Sequence, residues 1–171
     1  MKKFVKAAFA AVLAMGMAAC GSSSTAETIE KSVYQIETDG SYDEYIVVYY
    51  TSDRNALTGM TDEVHFYKES GYTADMFSPD SIKSVYPDFD SYDFASVDIQ
   101  EDDNTIYYIV HFKNLDNHDN AVKAAEAELI KLEDKDGAWL YVDAKGILDS
   151  LKAIHKEIPA ADIDSLGLHF Q

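Results

Sequence analysis

Side chains able to bind metals or move protons are plentiful in this 171-residue chain, yet few stand at the spacings that chemistry demands. Histidine occurs at positions 65, 111, 118, 155 and 169, with no His-Glu-x-x-His pair and no second cysteine to complete a ligand set, so a zinc centre is not expected. His65 and His111 each sit mid-strand beside aromatics, where a half-buried or surface imidazole is the ordinary outcome. There is no Gly-x-Ser-x-Gly elbow, no glycine-rich phosphate loop and no dinucleotide fingerprint. Close carboxylate pairs arise by chance in a chain with 31 Asp and Glu, so they do not argue for acid/base catalysis. The expectation is a protein that is not an enzyme and needs no cofactor.

Hard cations want clustered oxygens, and three acidic stretches supply them. Asp88, Asp90 and Asp93 precede a strand, Glu101-Asp102-Asp103 forms a turn, and Asp116 and Asp119 follow with Asn117 and Asn120 between and after them. Asp88, Asp90, Asp93, Asp116 and Asp119 are the candidate calcium ligands, against the alternative of loops that are merely acidic. Asp134-x-Asp136-Gly137 begins like an EF-hand, but its glycine comes fourth instead of sixth and Lys145 holds the twelfth position, so that loop is excluded. Tyrosines offer a different chemistry. Tyr45, Tyr49, Tyr67 and Tyr107 fall on neighbouring expected strands and would form a face able to grip a protein, peptide or glycan, the alternative being a core face with ordinary strand propensity.

The one cysteine, Cys20, has no partner in the chain. Ahead of it Lys2, Lys3 and Lys6 lead into an uncharged apolar run from Ala7 to Ala19, a signal peptide by charge and length. Thirteen residues at ~1.5 Å rise cover about 20 Å, short of the ~30 Å hydrocarbon core. The run closes Met17-Ala18-Ala19-Cys20-Gly21, which resembles the lipobox of bacterial lipoproteins, with Met17 where Leu is commoner. That resemblance implies cleavage after Ala19, a diacylglyceryl group on Cys20 and a stable hold on the bilayer outside the cytoplasm, since two acyl chains bury many methylenes at ~0.8 kcal/mol each. Gly21 in place of aspartate implies outer-membrane sorting if the host has an outer membrane.

Loss of the signal removes three of 14 basic residues, leaving a chain whose formal charge of −17 becomes three units more negative. Nucleic acid is excluded as a partner, because the counter-ion term would oppose binding. An envelope protein remains a possible partner.

The supporting elements follow from apolar periodicity. Residues 20 to 27 form a polar tether and 28 to 171 a single domain. Strands are expected over Thr28 to Thr38, Tyr42 to Tyr50 and Thr61 to Glu69, with a turn at Asp39-Gly40-Ser41. Ser78-Pro79 should start a helix that stops at Pro87 and presents Ile82, Val85 and Tyr86. Tyr92 to Gln100 and Thr105 to Asn114 make a hairpin. Asp119 to Leu132 should be a helix through Val122, Ala125, Leu129 and Leu132, Trp139 to Val142 a short strand, and Ala144 to Ile158 a last helix on Ile147, Leu148, Leu151, Ile154 and Ile158. The tail, with Ile163, Leu166, Leu168 and Phe170, is too apolar to stay in water. The sum is an α+β fold: an antiparallel sheet of about five strands with two or three helices on one face.

This order of lipobox, tyrosine-rich antiparallel strands, Gly71-Tyr72 turn, hairpin and amphipathic helix resembles the YehR-like bacterial lipoproteins, most of all at VVYYTSDRNALTGMTDEVHFYKESGYT. The resemblance implies a compact α+β domain and carries no site residues. ELIKLEDKDGAWLYVD is similar to the closing hairpin of SnoaL-like cone-shaped domains, though the long N-terminal helices of those domains are missing. Function is expected to be that of a membrane-anchored, non-catalytic binding or cell-envelope accessory module, with a solute- or calcium-binding lipoprotein as the alternative.

Overall fold

Strict alternation of side chains forces each strand to show one face to each side of a sheet, and here both sides are apolar enough to need cover. The computed structural model describes residues 28–52, 56–84, 88–127, 130 and 143–171. The strands are β1 (Ile29–Thr38), β2 (Tyr42–Thr51), β3 (Leu57–Tyr67), β4 (Ala95–Glu101), β5 (Thr105–Lys113) and β6 (Lys156–Glu157). They form one antiparallel sheet in the order β4-β5-β3-β2-β1-β6. Six strands are present where about five were expected.

The turns form as their residues dictate. Asp39 Oδ1 accepts from the amides of Ser41 (2.8 Å) and Tyr42 (3.1 Å), while Gly40 takes a φ of +83° that a side chain would resist. Between β4 and β5, Asp102 Oδ1 accepts from Asn104 N and Thr105 N, both at 2.8 Å.

One side of the sheet packs on two helices, α1 (His118–Glu126) and α2 (Ala144–Ile154). Asn117 caps α1 by accepting from the amides of Asp119 and Asn120, and Asp143 caps α2 through Lys145 N. Ala121 and Ala124 of α1 and Ala144, Ile147, Leu148 and Leu151 of α2 join Tyr34, Ile46, Val48, Met60, Val110 and Phe112 in the larger core. The buried face of α1 is therefore one residue out of phase with the expected Val122 and Ala125, which are half-buried. Among the described residues no helix is long and apolar enough to cross a membrane.

Three expectations give way. Over its described residues, Pro79–Ser84, the expected helix is a 3-10 helix with Ile82 buried, because a stretch rich in Ser and Asp gains too little from α-helical propagation. β3 begins at Leu57, four residues earlier than Thr61, since pairing with β2 continues past a bulge at Tyr49/Tyr50. The last helix ends at Ile154, which is 60% exposed, and the chain turns extended at His155 so that Lys156 and Glu157 pair with Gln35 and Tyr34 of β1.

That exit carries Ile158 to the opposite side of the sheet. There Ile158, Ile163, Leu166, Leu168 and Phe170 cover Val33, Tyr45, Val47 and Tyr49 in a second, smaller core, as the tail's apolar residues require. The expected Trp139–Val142 strand, the SnoaL-like stretch apart from Ile130 and Asp143, Val85, Tyr86 and Pro87 of the expected helix, the signal, Cys20 and the tether lie outside the described residues.

Candidate functional site

Two groups of buried polar side chains lie back to back across β3, whose alternation points Thr61, Glu63, His65 and Tyr67 at the tail and Met60, Asp62, Val64 and Phe66 at the helices.

On the tail side Glu63 is fully buried and fully used. Its Oε1 lies 2.8 Å from His65 Nε2 and 2.9 Å from His169 Nδ1, and its Oε2 accepts from His169 N at 2.9 Å. Burial pushes this carboxyl up, but the hydrogen bonds from His65 and His169 outweigh it and leave Glu63 below the ordinary carboxylate range. The Tyr107 ring meets both imidazoles edge-on, each at 4.8 Å. Gln171 closes the segment: its Nε2 donates to Met60 O (2.7 Å), Thr61 Oγ1 (3.2 Å) and Phe112 O (3.0 Å), and its amide donates to Tyr49 Oη (3.1 Å). These bonds tie His169 and Gln171 to β2, β3 and β5, so the group acts as a clasp for the C-terminal segment.

The helix side differs. Glu44 and Asp62 are 3% and 4% exposed, on the side of the larger core, and among the described residues Glu44 Oε1 and Asp62 Oδ1 have no hydrogen-bond partner. Pairing of Glu44 with Val64 and of Ile46 with Asp62 makes the two acids diagonal neighbours on one face. The buried Tyr108 hydroxyl, on β5, is also unpartnered; it approaches the Ile82 backbone without hydrogen-bond geometry. Burial drives both carboxyls far above the ordinary range, with Asp62 and Glu37 adding to the rise at Glu44 and Glu63 adding to it at Asp62. Each of those influences pushes the same way. Glu44 acts on Tyr42 and Asp62 on Tyr108, and both tyrosines belong to an aromatic group: Phe66 meets Phe77 at 4.5 Å, Tyr72 at 4.9 Å and Tyr42 at 5.9 Å, and Phe77 lies 6.3 Å from Tyr108. Phe66, Tyr72 and Phe77 are half-buried, so this group reaches the surface.

The fold matches a solved structure where comparison with family models and curated proteins finds nothing. No protein-family model and no curated protein matches the chain. The NMR structure of the E. coli YehR protein superposes with a TM-score of 0.50 at 14% identity, covering 80% of this chain and 95% of that one. The chain has a YehR-like fold. An NMR structure of a protein from Streptococcus pneumoniae TIGR4 gives a TM-score of 0.45 at 8% identity, covering 85% of this chain and 94% of the other.

Within this YehR-like fold the residues singled out from sequence are scattered. Of the candidate calcium ligands, Asp90 Oδ2 is 2.7 Å from Lys83 Nζ, Asp119 contacts His118, and Asp88, Asp93 and Asp116 are exposed. Among the described residues no three His, Cys, Asp or Glu side chains converge to hold a metal. Tyr45, Tyr49, Tyr67 and Tyr107 do share one face, by strand phase. That face is not an open aromatic surface, because the tail covers Tyr45 and Tyr49, 4% and 7% exposed. Tyr67 and Tyr107 are partly buried and donate to Asp43 Oδ2 (2.5 Å) and Asp102 Oδ2 (2.6 Å). Sequence reasoning passed over Glu44 and Asp62, yet a signal existed: each acid occupies the apolar phase of its strand, Glu44 with Ile46 and Val48, Asp62 with Met60 and Phe66.

Proposed function

We propose that the protein is a lipid-anchored, non-catalytic binding module of the bacterial cell envelope, held outside the cytoplasmic membrane through Cys20 and carrying a solute site on the helix side of its sheet. The observation that supports a solute site is the unpartnered trio of Glu44, Asp62 and Tyr108 beside aromatics that reach the surface. A buried polar atom left unpaired costs about 1–3 kcal/mol, and three in one neighbourhood is a penalty that a bound ligand relieves. A thermal melt of the purified protein against a small-solute panel tests the site: a ligand at about 100 times its dissociation constant adds ~2.7 kcal/mol. A rise seen in the wild type and lost when Glu44 and Asp62 are replaced supports it, and a flat response to every solute removes it. Membrane fractionation tests the anchor. Cys20→Ala should move the protein from membranes to the soluble fraction, and continued membrane retention without acylation overturns that part.

A further inference from the structure

The nature of the unpartnered atoms narrows the ligand, and the argument rests on the solute-binding reading above. Three oxygens lack partners among the described residues, Glu44 Oε1, Asp62 Oδ1 and the Tyr108 hydroxyl, and each carboxyl becomes a pure acceptor once its proton leaves. A primary ammonium group brings three N–H donors and one positive charge. An anion would meet two acids. A neutral ligand would leave the charge of any ionised carboxylate unanswered in a low-dielectric site. A divalent metal would want six or more oxygens at close range, and among the described residues no three metal-ligating side chains converge.

The aromatic group supplies the second half of the recognition. Phe66, Tyr72 and Phe77 are half-buried, and Phe77 is in ring contact with both Phe66 and Tyr108, the tyrosine that Asp62 influences. Ring faces attract a cation and accept an apolar body equally well. We infer that this site takes a primary ammonium group borne on an apolar or aromatic body, the nitrogen held by Glu44, Asp62 and Tyr108 and the body lying against Phe66, Tyr72 and Phe77.

Binding should be linked to protons. Among the described residues the ionisable groups acting on the acids or acted on by them are Glu37 on β1, Tyr42 on β2 and Tyr108 on β5, with Glu63 acting on Asp62 from the other side of β3, and the Tyr42 hydroxyl is engaged by Glu37. None of these brings positive charge. An arriving ammonium therefore replaces a proton on the acid pair, and affinity tightens as pH rises.

The test uses phenethylammonium titrated into the full-length protein in non-ionic detergent, by calorimetry in two buffers of different ionisation enthalpy. Phenethyl alcohol, calcium and magnesium serve as comparison ligands. Expected are saturable binding, release of about one proton per ammonium, and affinity rising by up to about tenfold per pH unit below the folded-state values. Glu44→Gln and Asp62→Asn should each weaken binding about tenfold or more. Tyr108→Phe, which removes a single oxygen and keeps the ring, serves if an acid variant fails to fold and should weaken binding several-fold. If phenethyl alcohol or a divalent metal binds instead, and loses affinity in the same variants, the ammonium inference falls while the solute-binding reading stands. If no ligand binds and the variants are merely more stable, the acid pair is a hydrated feature of the core and both fall.

Discussion

Replacing Glu44 by glutamine and Asp62 by asparagine keeps the shape of both side chains and removes their titration, so the pair can be tested through stability without any ligand. In an unfolded chain the two carboxyls ionise in the ordinary carboxylate range; in the fold, burial raises both well above it. Between those limits the folded state holds protons that the unfolded state has lost. Stability contributed by the pair is therefore fully present below the unfolded values and is lost as pH rises toward the folded ones. The slope is ~1.4 kcal/mol per pH unit for each carboxyl, so between about pH 5 and about pH 7 the wild type should lose ~3–5 kcal/mol relative to the double variant. Two other groups bear on the window. Burial lowers His111, with Lys113 adding to the fall, and its contribution grows as pH rises; it is shared by both proteins and cancels in the difference. Glu63 is lowered, so its contribution is already complete above the ordinary carboxylate range. Urea unfolding midpoints measured for both proteins across this range give the result directly. Parallel curves, or a variant that loses ground as pH rises, would refute the claim that these acids are protonated in the core.

Gly59→Ala places a Cβ 2.7 Å from the Phe112 carbonyl oxygen and 2.7 Å from Gln171 Oε1; the side chain can move aside but the strand carbonyl cannot, so a loss of about 1–3 kcal/mol is expected in a urea melt. Glu63→Gln weakens the bonds from His65 and His169, and should cost about 1.5–3 kcal/mol and speed hydrogen exchange at the His169 amide. In the wild type the same clasp should hold above the ordinary carboxylate range and release as pH falls through the lowered value of Glu63, which amide exchange at His169 would also report. Asn117→Ala removes the side-chain acceptor that caps α1 and should lower stability by about 1 kcal/mol in thermal unfolding.

The hairpins were legible in the sequence because period-two alternation and the Asp39-Gly40 and Asp102–Asn104 turns are local signals. β6 was not: Lys156 and Glu157 look like the polar end of a helix, and only pairing with β1, more than a hundred residues earlier, makes them a strand. The phase of α1 was misjudged because its buried positions are the small Ala121 and Ala124, which weigh little in an apolar count beside Val122. The face shared by Tyr45, Tyr49, Tyr67 and Tyr107 followed from alternation, but its covering did not, since that depends on where a distant tail docks. Glu44 and Asp62 were hidden by the assumption that an acid in a strand marks the wet face.

The position of β6 and the tail also fixes when the domain can finish folding. β1 lacks its outer neighbour, and Val33, Tyr45, Val47 and Tyr49 lack their cover, until residues 156–171 arrive. Contacts such as His169 with Glu63 close a separation of 106 residues, the kind of pairing that slows folding because a long loop must be ordered first. With residues 156–171 undocked the sheet would stay incomplete and one of its faces bare. Residues 156–171 are thus the closing piece of the sheet, and a destabilising change among them uncovers β1 and the second core together.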